Sequence, residues 1–122
     1  MFYPELLAAT ERQRSALLSI AFIRDGAAGK LSRDDYLAFL GAAYHHVKHT
    51  LPLLMACGAR LPERLEWLRA EMSKYIQEET GHQEWILNDI AACGADAEMV
   101  RRGQASLPVE LMVAYAYDTI AR

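Results

Sequence analysis

The chain has 122 residues, which suits one small core rather than two. Apolar residues make up 52% and charged residues 24%, with a formal charge of −3, so the composition is that of a globular protein and not of a disordered one. The arginines, among them Arg12, Arg14, Arg60, Arg64, Arg69, Arg101 and Arg102, are scattered, which argues against a dedicated nucleic-acid surface.

Two further features concern the compartment. Cys57 and Cys93 lie in Ala-rich stretches beside glycine, outside any CxxC or His/Cys ligand pattern, and read as reduced thiols. The N-terminus lacks a basic start followed by an unbroken apolar run, and no apolar run approaches the ~20 residues of a membrane span. The expectation is a cytoplasmic protein with neither a membrane nor a nucleic-acid partner.

The periodicity is helical from end to end, so the predicted class is all-α, one helical domain over 1–122. A first helix starts near Pro4, with Leu6, Leu7, Leu17, Leu18, Ala21 and Phe22 as its apolar stripe, and ends in the glycine-bearing segment 25–30. A second starts at Ser32, with Asp35 three residues on as a capping-box partner. It carries Tyr36, Phe39, Leu40, Ala43, Tyr44 and Val47, is kinked or divided by Pro52, and is capped at Gly58.

A third begins after Pro62 and runs to Cys93, stopped by Gly94. Leu65, Leu68, Met72, Tyr75, Ile76, Glu79 and His82 form one inward stripe, continued by Trp85, Ile86, Asp89 and Ile90. Gly81 inside it permits close packing or marks a distortion. A short helix from Asp96 to Arg102 and a last one from Leu107 to Arg122 complete four or five elements.

Chemistry-bearing residues gather in two places. Glu78 and Glu79 precede His82 at helical spacing, so a carboxylate and an imidazole share one face. Glu-x-x-His is the unit with which carboxylate bundles hold iron, and an inward carboxylate needs a partner or a metal. The same spacing also makes plain surface ion pairs. His45, His46 and His49 form the other cluster. They could be further ligands, the wall of a substrate pocket or a proton relay, or simply hydrogen-bonded histidines of a helix. Trp67, Trp85, Tyr44, Tyr75, Tyr115 and Tyr117 are aromatics that could line a pocket between helices or fill the core. No phosphate-binding glycine loop, serine elbow or zinc HExxH occurs.

Three stretches carry a resemblance: Ser32 to Leu40, Ala43 to Leu54, and Tyr75 to Trp85 with its Glu-Glu-Thr-Gly-His core. Together they resemble the heme-oxygenase-like superfamily of TenA/PqqC type, in particular its iron-containing redox enzymes. The resemblance implies a multi-helix bundle of about seven helices, of which this chain would supply the N-terminal half. It implies a non-heme di-iron oxidase-like activity on a small organic substrate, with Glu79 and His82 as iron ligands. Apart from the resemblance, the residues themselves make Tyr44, His45, His46, His49, Tyr75, Glu78 and Trp85 the candidates for lining a substrate pocket. The thiaminase branch keeps an Asp-Tyr-x-Tyr pattern; here only Tyr44 is retained, with Ala43 and His46 at the other places. Two alternatives stand beside the oxidase: a metal-free binder or enzyme for a thiamine-related heteroaromatic molecule, and a non-catalytic interaction or regulatory module. A homo-oligomer or a companion chain would complete the bundle.

Overall fold

The computed structural model covers all 122 residues and contains eight α-helices, one short 3-10 turn and no strand. The helices are α1 (Phe2–Ser19), α2 (Ala21–Ala27), α3 (Arg33–Val47), α4 (Thr50–Arg60), α5 (Glu66–Glu79), α6 (His82–Ala92), α7 (Ala97–Arg102) and α8 (Leu107–Ala121), with the 3-10 turn at Glu63–Leu65. The all-α expectation holds. The larger number of helices comes from breaks inside the expected ones. The chain divides into two compact units, 1–36 and 37–122.

In the first unit the expected single helix is two. Ile20 adopts extended backbone (ψ 128°) between α1 and α2. The Ser19 hydroxyl donates to the Ala16 carbonyl at 2.7 Å, offering the last turn of α1 a local alternative to continuing. No residue of α1 or α2 is buried, so the predicted stripe does not form a core: Leu6, Leu17 and Leu18 are exposed. The start of α3 follows its sequence signal. Ser32 Oγ accepts from the Asp35 amide (3.1 Å), and the Ser32 amide donates to Asp35 Oδ2 (3.3 Å), the reciprocal exchange of a capping box.

The second unit holds the core. Leu40 and Tyr44 of α3 meet Leu87 and Ile90 of α6, and Leu37, Ile86, Ala95, Ala97 and Val100 pack around them. Each large apolar side chain withdrawn from water here stabilises by about 1.5–3 kcal/mol. The α6 helix ends as predicted at Gly94 (φ 76°). The Ala95 amide donates to the Ile90 carbonyl (3.1 Å) and the Gly94 amide to Ala91 (2.8 Å), the pair of bonds made by a left-handed glycine after a helix. Asp96 then caps α7 through the Met99 amide at 3.0 Å.

Pro52 divides the second expected helix, as anticipated. It sits in the first turn of α4, where a missing N–H leaves no bond unmade, and the break falls at Lys48 and His49. Gly58 is not the cap. It lies buried inside α4, which runs on to Arg60. Leu61 is extended (ψ 132°), as the residue before Pro62 favours. The guanidinium of Arg69 on α5 donates to the carbonyls of Gly58 (2.9 Å) and Leu61, satisfying the end of α4 from outside. Arg60 reaches the Ala121 carbonyl at 2.6 Å and ties α4 to α8.

The inward stripe of the third expected helix is corrected on two counts. No residue of α5 is buried, and Tyr75, Trp67 and Trp85 are exposed. The helix also breaks at Thr80 and Gly81, which ends the alignment that a continuous helix would give. No helix is long and apolar enough to cross a membrane.

Candidate functional site

Glu79 is the last residue of α5 and His82 the first of α6. Between them Thr80 is extended (ψ 119°), and its hydroxyl donates to the Ile76 carbonyl at 2.7 Å. Gly81 then takes φ +93°, where a Cβ would press on the backbone; no other atom crowds the position, so the constraint is conformational. Its carbonyl receives the amides of Glu84 and Trp85 and starts α6. The Glu-x-x-His pair is therefore joined across a turn and not along one helix face.

The turn nevertheless brings the two side chains together. His82 Nδ1 and Glu79 Oε2 are 2.8 Å apart. A carboxylate only accepts, so Nδ1–H donates and Nε2 remains for another partner. The pair is partly covered, with side-chain exposures of 18% for Glu79 and 30% for His82. The Glu79 carboxylate beside the Tyr75 hydroxyl, by its hydrogen-bonding capacity and its charge and with Glu78 adding to it, raises the phenol pKa above its ordinary value. Trp85 lies against the His82 ring at 4.4 Å between centroids. Tyr75 and Trp85 thus flank the pair, while Glu78 is exposed beside it. At the start of α6, Glu84 accepts two bonds from Arg101 of α7, at 2.8 and 2.7 Å. These hydrogen bonds, with the guanidinium charge, lower the pKa of Glu84.

The pair offers one carboxylate and one imidazole. No group of three or more His, Cys, Asp or Glu side chains converges anywhere in the chain. The donor chemistry fits iron, which takes oxygen and nitrogen ligands; the donor number is part of a set and not a whole one.

The second histidine cluster lies at the break between α3 and α4. His45 is buried, with 6% exposure, and its ring meets Tyr44 edge-on at 5.3 Å. Tyr44 itself is a core residue. Lys48 Nζ sits 3.4 Å from His45 Nδ1 and 5.6 Å from the Tyr44 ring centre. His49 Nδ1 and the Tyr117 hydroxyl of α8 are 3.2 Å apart, with the rings edge to face. Burial and then the positive charge of Lys48 lower the pKa of both His45 and His49. His46 is half-buried.

A cavity of about 460 Å³ opens against this cluster. His45, Lys48 and His49 form one side, and residues 103–105 with Val109, Glu110 and Val113 the other. Of the seven residues expected around a substrate, the structure places His45 and His49 on this cavity. Tyr44, His46, Tyr75, Glu78 and Trp85 are not among its walls. Sequence reading did not single out Lys48, Glu110 or the 103–105 segment. For Lys48 a signal existed, its i,i+3 spacing from His45; the others reach the cavity only through the packing of α8.

The family model described as iron-containing redox enzyme matches residues 37–122, the same span as the second unit. No curated protein and no solved structure matches the chain.

Proposed function

The chain belongs to the iron-containing redox enzyme family of the heme-oxygenase-like superfamily, and on that premise we propose that it works as a non-heme di-iron oxidase-like protein acting on a small organic substrate, with Glu79 and His82 as iron ligands. One observation supports this above others: Glu79 and His82 converge to 2.8 Å across a helix break that only a glycine makes cheaply. A surface ion pair along one helix needs no such turn.

Iron bound with open positions supplies the activation of dioxygen. The chain's own residues prepare the donors. The Tyr75 hydroxyl lies beside the Glu79 carboxylate, and Trp85 packs at a tilt against the His82 imidazole. The Nδ1 proton of His82 bridges the two donors and orients the imidazole, leaving Nε2 open. These 122 residues bring two donors to the site, so the remaining ligands of an iron centre have to come from outside them.

Anaerobic addition of Fe(II) to the purified chain, followed by desalting and metal analysis, tests the reading. The expected outcome is roughly one retained iron per chain, lost when Glu79 or His82 is replaced by Ala. Equal iron retention by the wild type and both variants would overturn it.

A further inference from the structure

The cavity beside the first residues of α4 differs in chemistry from the Glu79–His82 pair. Lys48 and two histidines bring donors to one wall, and Glu110 brings a carboxylate to the other. Lys48 is an ammonium, which only donates, so its partner nitrogen, His45 Nδ1, accepts. The neutral ring of His45 then carries its hydrogen on Nε2, and His45 is a wall of the cavity. His49 lines the same space. The lowered pKa values of both imidazoles leave Lys48 as the positive charge at neutral pH. That ammonium leans on an imidazole nitrogen rather than on a carboxylate. Glu110 is the carboxylate on the opposite wall. It occupies the first turn of α8, where a negative charge complements the helix dipole.

The rest of the lining is apolar or small. Val109 and Val113 give a hydrocarbon surface. Gly103 leaves room: a Cβ there would lie 3.1 Å from the Met99 carbonyl oxygen and 3.8 Å from His45 Nε2. The volume of about 460 Å³ lies within the range of small-molecule sites, roughly 300–1,000 Å³.

We propose that this cavity binds a small organic monocarboxylate, its carboxylate held by Lys48 with His45 and His49 and its apolar body laid against Val109 and Val113. Glu110 stands across the cavity and forms no ion pair with Lys48, so a bound carboxylate gives Lys48 a partner on its own wall and accepts from the N–H groups there. The hydrocarbon part gains from the valines what a free inorganic anion would not. The site stands apart from the iron reading, since neither Glu79 nor His82 is among its walls.

The test uses the full chain, sodium benzoate as probe and benzamide as its uncharged counterpart, followed through the histidine ring signals by NMR. Benzoate is expected to bind saturably, shift His45 and His49, leave His82 in place, and bind at least ~tenfold more tightly than benzamide. Lys48→Met, which keeps the side-chain stem, is expected to remove that difference, with unmoved His46 and His82 signals reporting an intact fold. If the variant fails to fold, the comparison of benzoate with benzamide on the wild type decides alone. Equal binding of the two probes, no binding of benzoate, or shifts centred on His82 would overturn the proposal. His82→Ala is expected to lose iron and keep benzoate, so failure of either reading is distinguishable from failure of the other.

Discussion

Both histidine clusters sit at a break between helices, yet the two regions prepare their imidazoles for opposite partners. At the α5–α6 break the neighbour is a carboxylate, and His82 donates to it. At the α3–α4 break the neighbour is an ammonium, and His45 accepts from it. Geometry differs as well: the first break is made by a left-handed glycine, the second falls three residues ahead of a proline. An imidazole next to a negative charge can help hold a cation. One next to a positive charge, kept neutral by it and by burial, belongs in a wall that receives an anion. Spacing along the chain already separates the four histidines into two clusters; the sign of the adjacent charge tells what each cluster is prepared to hold.

The largest expected effect comes from removing the acidic partner. Glu79→Ala or His82→Ala is expected to lower iron retention by at least ~10–100-fold, read by metal analysis, and to leave the second cluster's NMR signals unchanged. Reversing the neighbour's sign at the other break sharpens the contrast. Lys48→Glu is expected to raise the pKa of His45 and His49, since one cause of their lowering becomes its opposite. It is also expected to weaken benzoate at least ~tenfold. An NMR pH titration checks the first, and unchanged histidine titrations would break the comparison.

Gly81→Ala touches neither donor. It forces a side chain into the left-handed region at φ +93°, at a cost of about 1–2 kcal/mol. Urea unfolding is expected to show that loss, and metal analysis a loss of iron, because the turn sets the approach of Glu79 to His82. Iron retained in full by this variant would mean that the turn does not position the pair.

Acidification acts on the other cluster. The folded-state pKa values of His45 and His49 lie below the ordinary 6.5. Between 6.5 and those lower values the unfolded chain binds more protons than the folded one. The stability contribution is therefore complete above pH 6.5 and is lost as the pH falls through that window. Denaturation at pH 7.5, 6.5 and 5.5 is expected to show the decline, and Lys48→Met to make it shallower. The smallest effect is expected from Arg101→Ala. Its bonds to Glu84 are solvent-exposed and screened by water, so unfolding is expected to shift little and iron retention not at all.

Much of the chain was legible because its signals are local. Ser32 with Asp35, Gly94 after α6 and Pro52 in the first turn of α4 each act within a few residues of themselves. Such caps and stops satisfy neighbouring backbone groups whatever the tertiary context. The break at Ile20 and the position of Gly58 were not legible in that way. Ile20 carries no breaker residue. Gly58 reads as a cap, but Arg69, eleven residues later, serves the end of α4 instead. For the site, Glu79 and His82 could be paired by spacing, whereas the turn that joins them could not, since Gly81 fits both a tight packing and a kink.

The sequence by itself determined the all-helical class, most helix ends, the family motif and the identities of the two histidine clusters. The class, the helix ends and the clusters rest on periodicity, capping chemistry and spacing, which act over one or two turns, and the family motif on the resemblance of three stretches. The tertiary structure decided which histidine faces a carboxylate and which an ammonium, and which of them share a cavity. It set Tyr117, 68 residues away, against His49, and placed Val109, Glu110 and Val113 across from Lys48. Those relations depend on how α8 meets the α3–α4 break, and packing between distant segments is fixed by the summed burial of many side chains rather than by any local pattern.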